Sequence, residues 1–377
     1  MKKLKLMTIV GTRPEIIKLS EVIKKCDIYF DHILVHTGQN YAYELNEIFL
    51  KELSIREPNY YLGVVGENLG ETIGNIINYS YKLMKELNPD ALLVLGDTNS
   101  TLSVISAKRL KIPIFHMEAG NRCFDENLPE EINRRIVDHV ADVNLPYTEH
   151  ARRYLLLEGI KKEYIYVTGS PMAEIIQVNN EKIITSKILE KLKLKKHEYI
   201  LLSAHREENI DNEKNFFELI NAINKLAEQF QVPIIYSVHP RSKKMIEERN
   251  VKFNELIQFY EPFGFSDYNF LQINALCVVS DSGTLAEEAA IMHFPAVSLR
   301  TSTERPEAID KGNLIIGSIT EQSLLQSVEM AVRSARNNEL VVNIPDYENK
   351  NVSMKVVKII QSYTEIINKR IWFKNQN

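Results

Sequence analysis

Short apolar runs, each followed by a helical pattern, recur from one end of this chain to the other and limit what it can fold into. In the first half they are LMTIV (6–10), HILVH (32–36), ALLVLG (91–96), IPIFHM (112–117), DVNLPY (142–147) and YIYVTG (164–169). In the second half they are YILLSA (199–204), PIIYSV (233–238), LIQFY (256–260), LCVVSD (276–281), PAVSLR (295–300) and NLIIGS (313–318). A strand that is apolar throughout is covered on both faces. Alternation of such strands with helices means parallel sheets layered by helices. Twelve strands exceed one small doubly wound sheet, and an eightfold barrel fits the alternation less well. The polar, lysine-rich segment 177–197 divides the strands six and six. The expected class is α/β, with two Rossmann-like doubly wound domains facing a cleft, at residues 1–175 and 176–352. A last helix at about 353–370, within a tail reaching 377, is open to packing back on the first domain.

The length of 377 residues suits two domains, and 44% hydrophobic residues can fill large cores without disulfides or a structural metal. A net charge of −4 argues against a nucleic-acid partner, so any phosphate must be met by local groups. Cys26, Cys123 and Cys277 are isolated, which fits a reducing compartment rather than a disulfide framework. The opening MKKLKLMTIV imitates a secretion signal until Arg13 and Glu15 interrupt it. No run of about 18 apolar residues spans a membrane. The expectation is a cytoplasmic protein with no membrane partner.

Ligands of doubly wound sheets bind beyond the carboxyl ends of the strands, and the unusual residues of this chain cluster there. The first run leads into GTRPEIIK, where Pro14 suits a first helical turn and Arg13 and Lys18 place two cations near a helix start. That is an anion site or a capped helix with surface charges. In LGDTNS, Asp97 is either an N-cap or a site carboxylate. HMEAGNRCFDENLPEEINR brings Glu118, Asp125, Glu126, Glu130 and Glu131 just past an apolar strand. SAHREEN and SVHPR set His205 with Arg206, and His239 with Arg241, after successive strands, ready to meet phosphate. His205, His239 and Glu118 have no metal-ligand spacing, so no metal is expected. In SDSGTLAEEA, Ser282, Gly283 and Thr284 offer hydroxyls and amides to a diphosphate at a helix start. Glu288 there is a candidate for ribose hydroxyls, while Glu287 reads as a solvated helix face. TSTERPEA adds Arg305.

Taken in order, GTRPEIIK, GDTNS, HMEAGNR, PEEINR, AHREEN, SDSGTLAEEA and TERPEA resemble the non-hydrolysing UDP-N-acetylglucosamine 2-epimerases over residues 5 to 310. The resemblance implies the two-Rossmann architecture shared with GT-B glycosyltransferases, a UDP-sugar substrate, no cofactor and a homodimer. By resemblance, Arg13, His205, Ser282, Gly283, Glu288 and Arg305 form the UDP-binding set, with Tyr268 near the uracil and His239 on the diphosphate. Asp97, Glu118 and Glu130 look like the acid/base carboxylates. Lys18 is similar to a charged active-site residue, and His205 is also placed among the catalytic groups. The stretch AGNRCFDENLPEEINRRIVDHVADVNLPYTEHARRYL is closest to the branch making UDP-N-acetyl-L-fucosamine, for capsule or O-antigen, from UDP-2-acetamido-2,6-dideoxy-L-talose. The glucosamine branch carries GLRT where this chain has Asn121 and Cys123. It also carries activator-binding residues where this chain has Asn40 and Glu67.

The chemistry so implied is an elimination. No carbonyl acidifies the C2 proton of an N-acetyl sugar, so a base removes it as UDP leaves C1. UDP then adds back to the 2-acetamidoglycal while a proton arrives from the opposite face. Such a site needs an acid or base on each face of C2, hence at least two carboxylates. A glycosyltransferase using the same UDP site, a UDP-GlcNAc to UDP-ManNAc epimerase and a silent UDP-sugar sensor are the alternatives.

Overall fold

The structure, a computed structural model, describes residues 3–38, 43–238, 240–249, 251–300, 302–340 and 343–374. It divides into two compact units, Met1–Gln177 with Pro345–Asn377, and Val178–Ile344.

The first unit holds a six-stranded sheet: β1 (Lys5–Val10), β2 (Asp31–His36), β3 (Tyr60–Tyr61), β4 (Ala91–Leu95), β5 (Ile114–Met117) and β6 (Val143–Leu145). The strands lie in the order β3-β2-β1-β4-β5-β6, and every pair is parallel. The second unit repeats the plan with β7 (Ile200–Ser203), β8 (Ile234–Ser237), β9 (Ile257–Tyr260), β10 (Cys277–Ser280), β11 (Ala296–Leu299) and β12 (Ile315–Gly317). Its order is β12-β11-β10-β7-β8-β9, again all parallel. Counted from its own first strand, each sheet reads 3-2-1-4-5-6, the doubly wound order. Each therefore has one point where the winding reverses, between β1 and β4 and between β7 and β10. Chain leaving these neighbours at their carboxyl ends opens in opposite directions and leaves a crevice there.

The apolar runs become strands because helices cover both faces. All five residues of β4 are buried, and Met7, Ile9, Leu92, Val94 and Ile114 join Val104 and Val137 in one core. In the second unit Ile200, Leu202, Ile234 and Val279 pack against Phe216, Leu219 and Ile223 of the helix Glu213–Phe230. Each such side chain contributes roughly 1.5–3 kcal/mol on burial, which is why these strands need no polar alternation.

One expected strand is absent. The run 164–169 follows a 3₁₀ turn (Lys162–Tyr164) and lies beside β6 with a single bridge, Ile165 to Asn144. Its place in the count is taken by the two exposed residues of β3, an edge strand with no apolar signature. The C-terminal helix Val352–Arg370 packs on the helix Arg13–Tyr29. Ser353 ties its start to Glu174, the amide donating at 2.8 Å and the hydroxyl at 2.5 Å. Among the described residues no helix is long and apolar enough to cross a membrane.

Candidate functional site

In the first unit the switch point is bounded by the turn after β1, the turn after β4 and the turn after β5. The helix Arg13–Tyr29 starts with Pro14 in its first turn, and its axis carries Lys18 inward. Lys18 is only 7% exposed, so it is no surface charge. Its Nζ donates to both carboxylate oxygens of Glu118, at 2.8 and 2.6 Å. Glu118 is likewise 7% exposed and follows β5 with φ +63°, a left-handed backbone that side chains rarely adopt. The turn closes at Gly120, φ +79°, where a Cβ would sit 2.5 Å from the Ala151 carbonyl oxygen. Only glycine fits there, and the tight turn it permits aims Glu118 at the switch point. Asn121 Nδ2 lies 3.4 Å from Glu118 Oε1.

Gly96 and Asp97 form the β4 turn beside this pair. A Cβ on Gly96 would stand 3.8 Å from Glu118 Oε2. Asp97 does not cap a helix with its side chain. Its Oδ2 accepts from Arg134 Nε at 2.9 Å and Nη2 at 2.7 Å, while Asn133 Nδ2 donates to its carbonyl at 2.9 Å. Arg134 also reaches Glu131 through Nη1 at 2.8 Å. Asn133, Arg134 and Glu131 all belong to the helix Pro129–Val140, so one helix orients the Asp97 turn.

Of the acidic cluster past β5, Glu131 is structural. Burial opposes its ionisation, but the Cys123 amide and Arg134 outweigh that and hold it below the usual carboxylate range. Cys123 is pushed the other way by burial and stays a thiol. Asp125 accepts from Asn127, and exposed Glu126 pairs with Arg135. Glu130 sits half-buried in the first turn of the same helix. Among the described residues the structure brings it into no hydrogen bond or ion pair with Lys18, Glu118 or Asp97. Arg13 stacks over Phe49, its guanidinium carbon 5.3 Å from the ring centre.

In the second unit the switch point is organised by Asp281, fully buried at the end of β10. Asp281 Oδ2 accepts from the amides of His205 at 2.8 Å and Arg206 at 2.9 Å, and Oδ1 faces His205 Nδ1 at 3.1 Å. Burial opposes its charge, yet the His205 imidazole and these amides bring it down to about 2. Arg206 Nε and Arg300 Nε both donate to the Asp281 carbonyl at 3.0 Å. His205 thus lies fixed beside the loop Ser282–Gly283–Thr284. That loop enters the helix Leu285–Met292 without a side-chain cap bond at Thr284. Gly283 keeps this turn close to Glu304: a Cβ would meet Glu304 Oε1 at 2.9 Å and would have to push that carboxylate aside.

Glu287 is not on a solvated face. It is 0% exposed and lies 3.5 Å from Arg305 Nη2, because this short helix is enclosed on that side by the Arg305 turn. Glu288 accepts from Gln272 Nε2 at 2.6 Å, and Tyr268 lies on the same helix as Gln272, Phe265–Ile273. His239 and Asn40 lie outside the described residues; Glu67 is exposed. Among the described residues no three His, Cys, Asp or Glu side chains group as metal ligands.

Four residues that hold these turns have no role legible in the sequence alone: Arg134, Asp281, Arg300 and Glu15, which accepts from Thr98 Oγ1 at 3.0 Å and Ser100 Oγ at 2.5 Å. Glu15 follows Thr12 by three residues, the spacing of a helix-start capping box, and Arg134 lies one turn after Glu130 and Glu131. Nothing local marks Asp281 or Arg300.

Residues 24–361 match the sequence profile of the family described as UDP-N-acetylglucosamine 2-epimerase. A solved UDP-N-acetylglucosamine 2-epimerase from Rickettsia bellii superposes with TM-score 0.91 at 46% identity, covering 99% of this chain and 100% of that one. The Methanocaldococcus jannaschii UDP-GlcNAc 2-epimerase, solved in complex with UDP-GlcNAc and UDP, gives TM-score 0.88 at 33% identity over 95% of this chain and 100% of that one. The UDP-2,3-diacetamido-2,3-dideoxy-D-glucuronate 2-epimerase of Pseudomonas aeruginosa is 31% identical over 342 residues, 89% of this chain and 92% of its own. With a profile match across most of its length and relatives of this similarity over nearly all of it, the chain belongs to the UDP-N-acetylglucosamine 2-epimerase family.

Proposed function

We propose that this chain inverts C2 of a UDP-N-acetyl amino sugar by elimination and re-addition of UDP. The observation that carries the reading is the buried Lys18–Glu118 pair beside the Gly96–Asp97 turn. A carboxylate and an ammonium are costly to bury even when paired, and here both are held at a strand-end turn that strains Glu118. In the first half-reaction a base takes the C2 proton, its electrons form the C1–C2 double bond, and the C1–O bond breaks toward UDP. In the second, a phosphate oxygen of UDP bonds C1 as a proton reaches C2 on the other face. Nothing is oxidised or reduced overall. Asp97, Glu118 and Glu130 are the acid/base candidates, each worth ~10²–10⁴-fold in rate. Lys18 holds Glu118 in place. Arg13, His205, His239, Tyr268, Ser282, Gly283, Glu288 and Arg305 hold UDP, whose departing charge the amides of Ser282–Thr284 and the nearby arginines stabilise.

Within that chemistry, the substrate is UDP-2-acetamido-2,6-dideoxy-L-talose and the product UDP-N-acetyl-L-fucosamine, made for capsule or O-antigen. The support is local. Asn121 stands where the glucosamine branch carries leucine, and its amide approaches the carboxylate of Glu118. A substitution touching a catalytic carboxylate bears directly on which sugar is accepted. The names of the Rickettsia and Methanocaldococcus proteins favour UDP-GlcNAc as the second reading. The diacetamido-glucuronate relative supports a family that tolerates changes around the sugar ring. Three buried free cysteines accord with a cytoplasmic enzyme, and the family resemblance with a homodimer.

NMR of parallel incubations in D₂O with the 6-deoxytalose and glucosamine nucleotides, without acceptor, tests both levels. Epimerised product labelled at C2 from the talose nucleotide is expected. Label only from UDP-GlcNAc overturns the substrate assignment, and label from neither overturns the reaction.

A further inference from the structure

Glu15 is a buried carboxylate that the reaction scheme does not use. Its place three residues after Thr12 suggests a local helix cap, but the structure builds something else. In a capping box the N-cap hydroxyl accepts from the third amide of the helix. Here Thr12 makes no such bond, and its hydroxyl instead donates to Glu15 Oε2 at 2.8 Å. Gly11 N donates to the same oxygen at 3.1 Å and Thr98 Oγ1 at 3.0 Å, while Ser100 Oγ donates to Oε1 at 2.5 Å. Two donors come from the turn preceding Arg13, and two from the turn following Asp97, 83 and 85 residues away in sequence. The carboxylate is 1% exposed, and none of these four partners is a cation. Burial holds it above the usual carboxylate range, against the pull of its donors. So costly a group is retained where it joins the two turns flanking the sheet reversal.

We infer that Glu15 is a positioning residue, setting the Arg13 turn in register with the Asp97 turn so that the glycal and UDP stay aligned between the two half-reactions. The inference rests on the elimination reading above. If register fails, the intermediate escapes, and free UDP appears in place of epimer. The measurement is therefore free UDP released per deuterium incorporated at C2. This ratio does not change when a variant merely lowers the folded fraction.

Glu15→Ala is expected to raise that ratio about tenfold, within the ~10²-fold range that a displacement of about 1 Å costs. Glu15→Gln is expected to keep it within about threefold of the parent, since its amide oxygen can still accept from two of the Gly11, Thr12 and Thr98 donors and its amide nitrogen can donate to the Ser100 hydroxyl. The double variant Thr98→Val, Ser100→Ala leaves Glu15 in place and is expected to raise the ratio as Glu15→Ala does. Amide hydrogen exchange on the substrate-free proteins supplies a second arm that needs no turnover. Glu15→Ala and the Thr98→Val, Ser100→Ala variant are expected to lose protection in 97–101, with the second unit unchanged. A parent protein that incorporates no deuterium overturns the epimerase reading, while the exchange arm still tests Glu15. Parental protection in both Glu15→Ala and the Thr98→Val, Ser100→Ala variant, or a parental UDP-to-deuterium ratio in both of these, overturns the inference.

Discussion

The two units share one strand order and use it with opposite electrostatics. At the reversal point of the first sheet, carboxylates are held by cations, Glu118 by Lys18 and Asp97 by Arg134. At that of the second, the carboxylate Asp281 organises the loops. Its side chain fixes His205, and its carbonyl collects two guanidinium groups, leaving cationic side chains around an uncapped helix start. The first arrangement suits proton transfer at a sugar carbon. The second suits a diphosphate. One topology carries two electrostatic settings because the strands fix only where the loops emerge, and the loop residues decide the charge.

The contrast is sharpest at Glu118. Glu118→Gln keeps the shape and removes the charge, so turnover is expected to fall ~10²–10⁴-fold while UDP affinity by calorimetry stays near parental. Equal loss of both would erase the division of labour. Lys18→Met strips Glu118 of its ammonium in a buried setting and is expected to cost about 3–5 kcal/mol of stability in denaturant titration. A loss below about 1 kcal/mol would mean the pair is solvated in practice.

The second unit answers to acid. Asp281 has a folded-state pKa of about 2, below the ordinary carboxylate value, so its contribution is complete above pH ~4 and lost as pH falls toward 2. The loss is on the order of 2 kcal/mol, read from melts between pH 2 and 5. In Asp281→Asn the acid-side slope is expected to become shallower by about that amount, with Glu131 and the other lowered carboxylates supplying what remains. An unchanged slope would place the titrating group elsewhere. The smallest effect is expected at Gly283→Ala, whose methyl must displace Glu304. UDP affinity is expected to drop about tenfold, equivalent to ~1.4 kcal/mol, with the melting point nearly unchanged. A parental affinity would detach this loop from nucleotide binding.

Much of this architecture was legible because parallel strands buried on both faces advertise themselves as unbroken apolar runs. Eleven of the twelve strands coincide with such runs, β1 and β2 starting one residue earlier, and the exception, β3, is two exposed tyrosines that carry no apolar run. The run 164–169 looked the same as its neighbours but lies beside β6 with one bridge, since composition does not reveal how many partners a strand finds. At the site, the strand-end position of Asp97, Glu118 and Ser282 could be read directly. The roles of Glu15, Arg134 and Asp281 could not, because their partners lie in other loops. Glu287 was misread for a related reason: its surroundings come from the Arg305 turn, which no helical periodicity contains.

In the proposed reaction, acids and bases of the first unit act on a sugar carbon while UDP is held by Arg13 and the loops of the second unit. Proton NMR of the UDP-sugar incubated with the protein in D₂O, with no acceptor present, tests it most directly. Deuterium is expected at C2 of both epimers, appearing with the inverted product. Unlabelled C2 in a protein that binds UDP would contradict it.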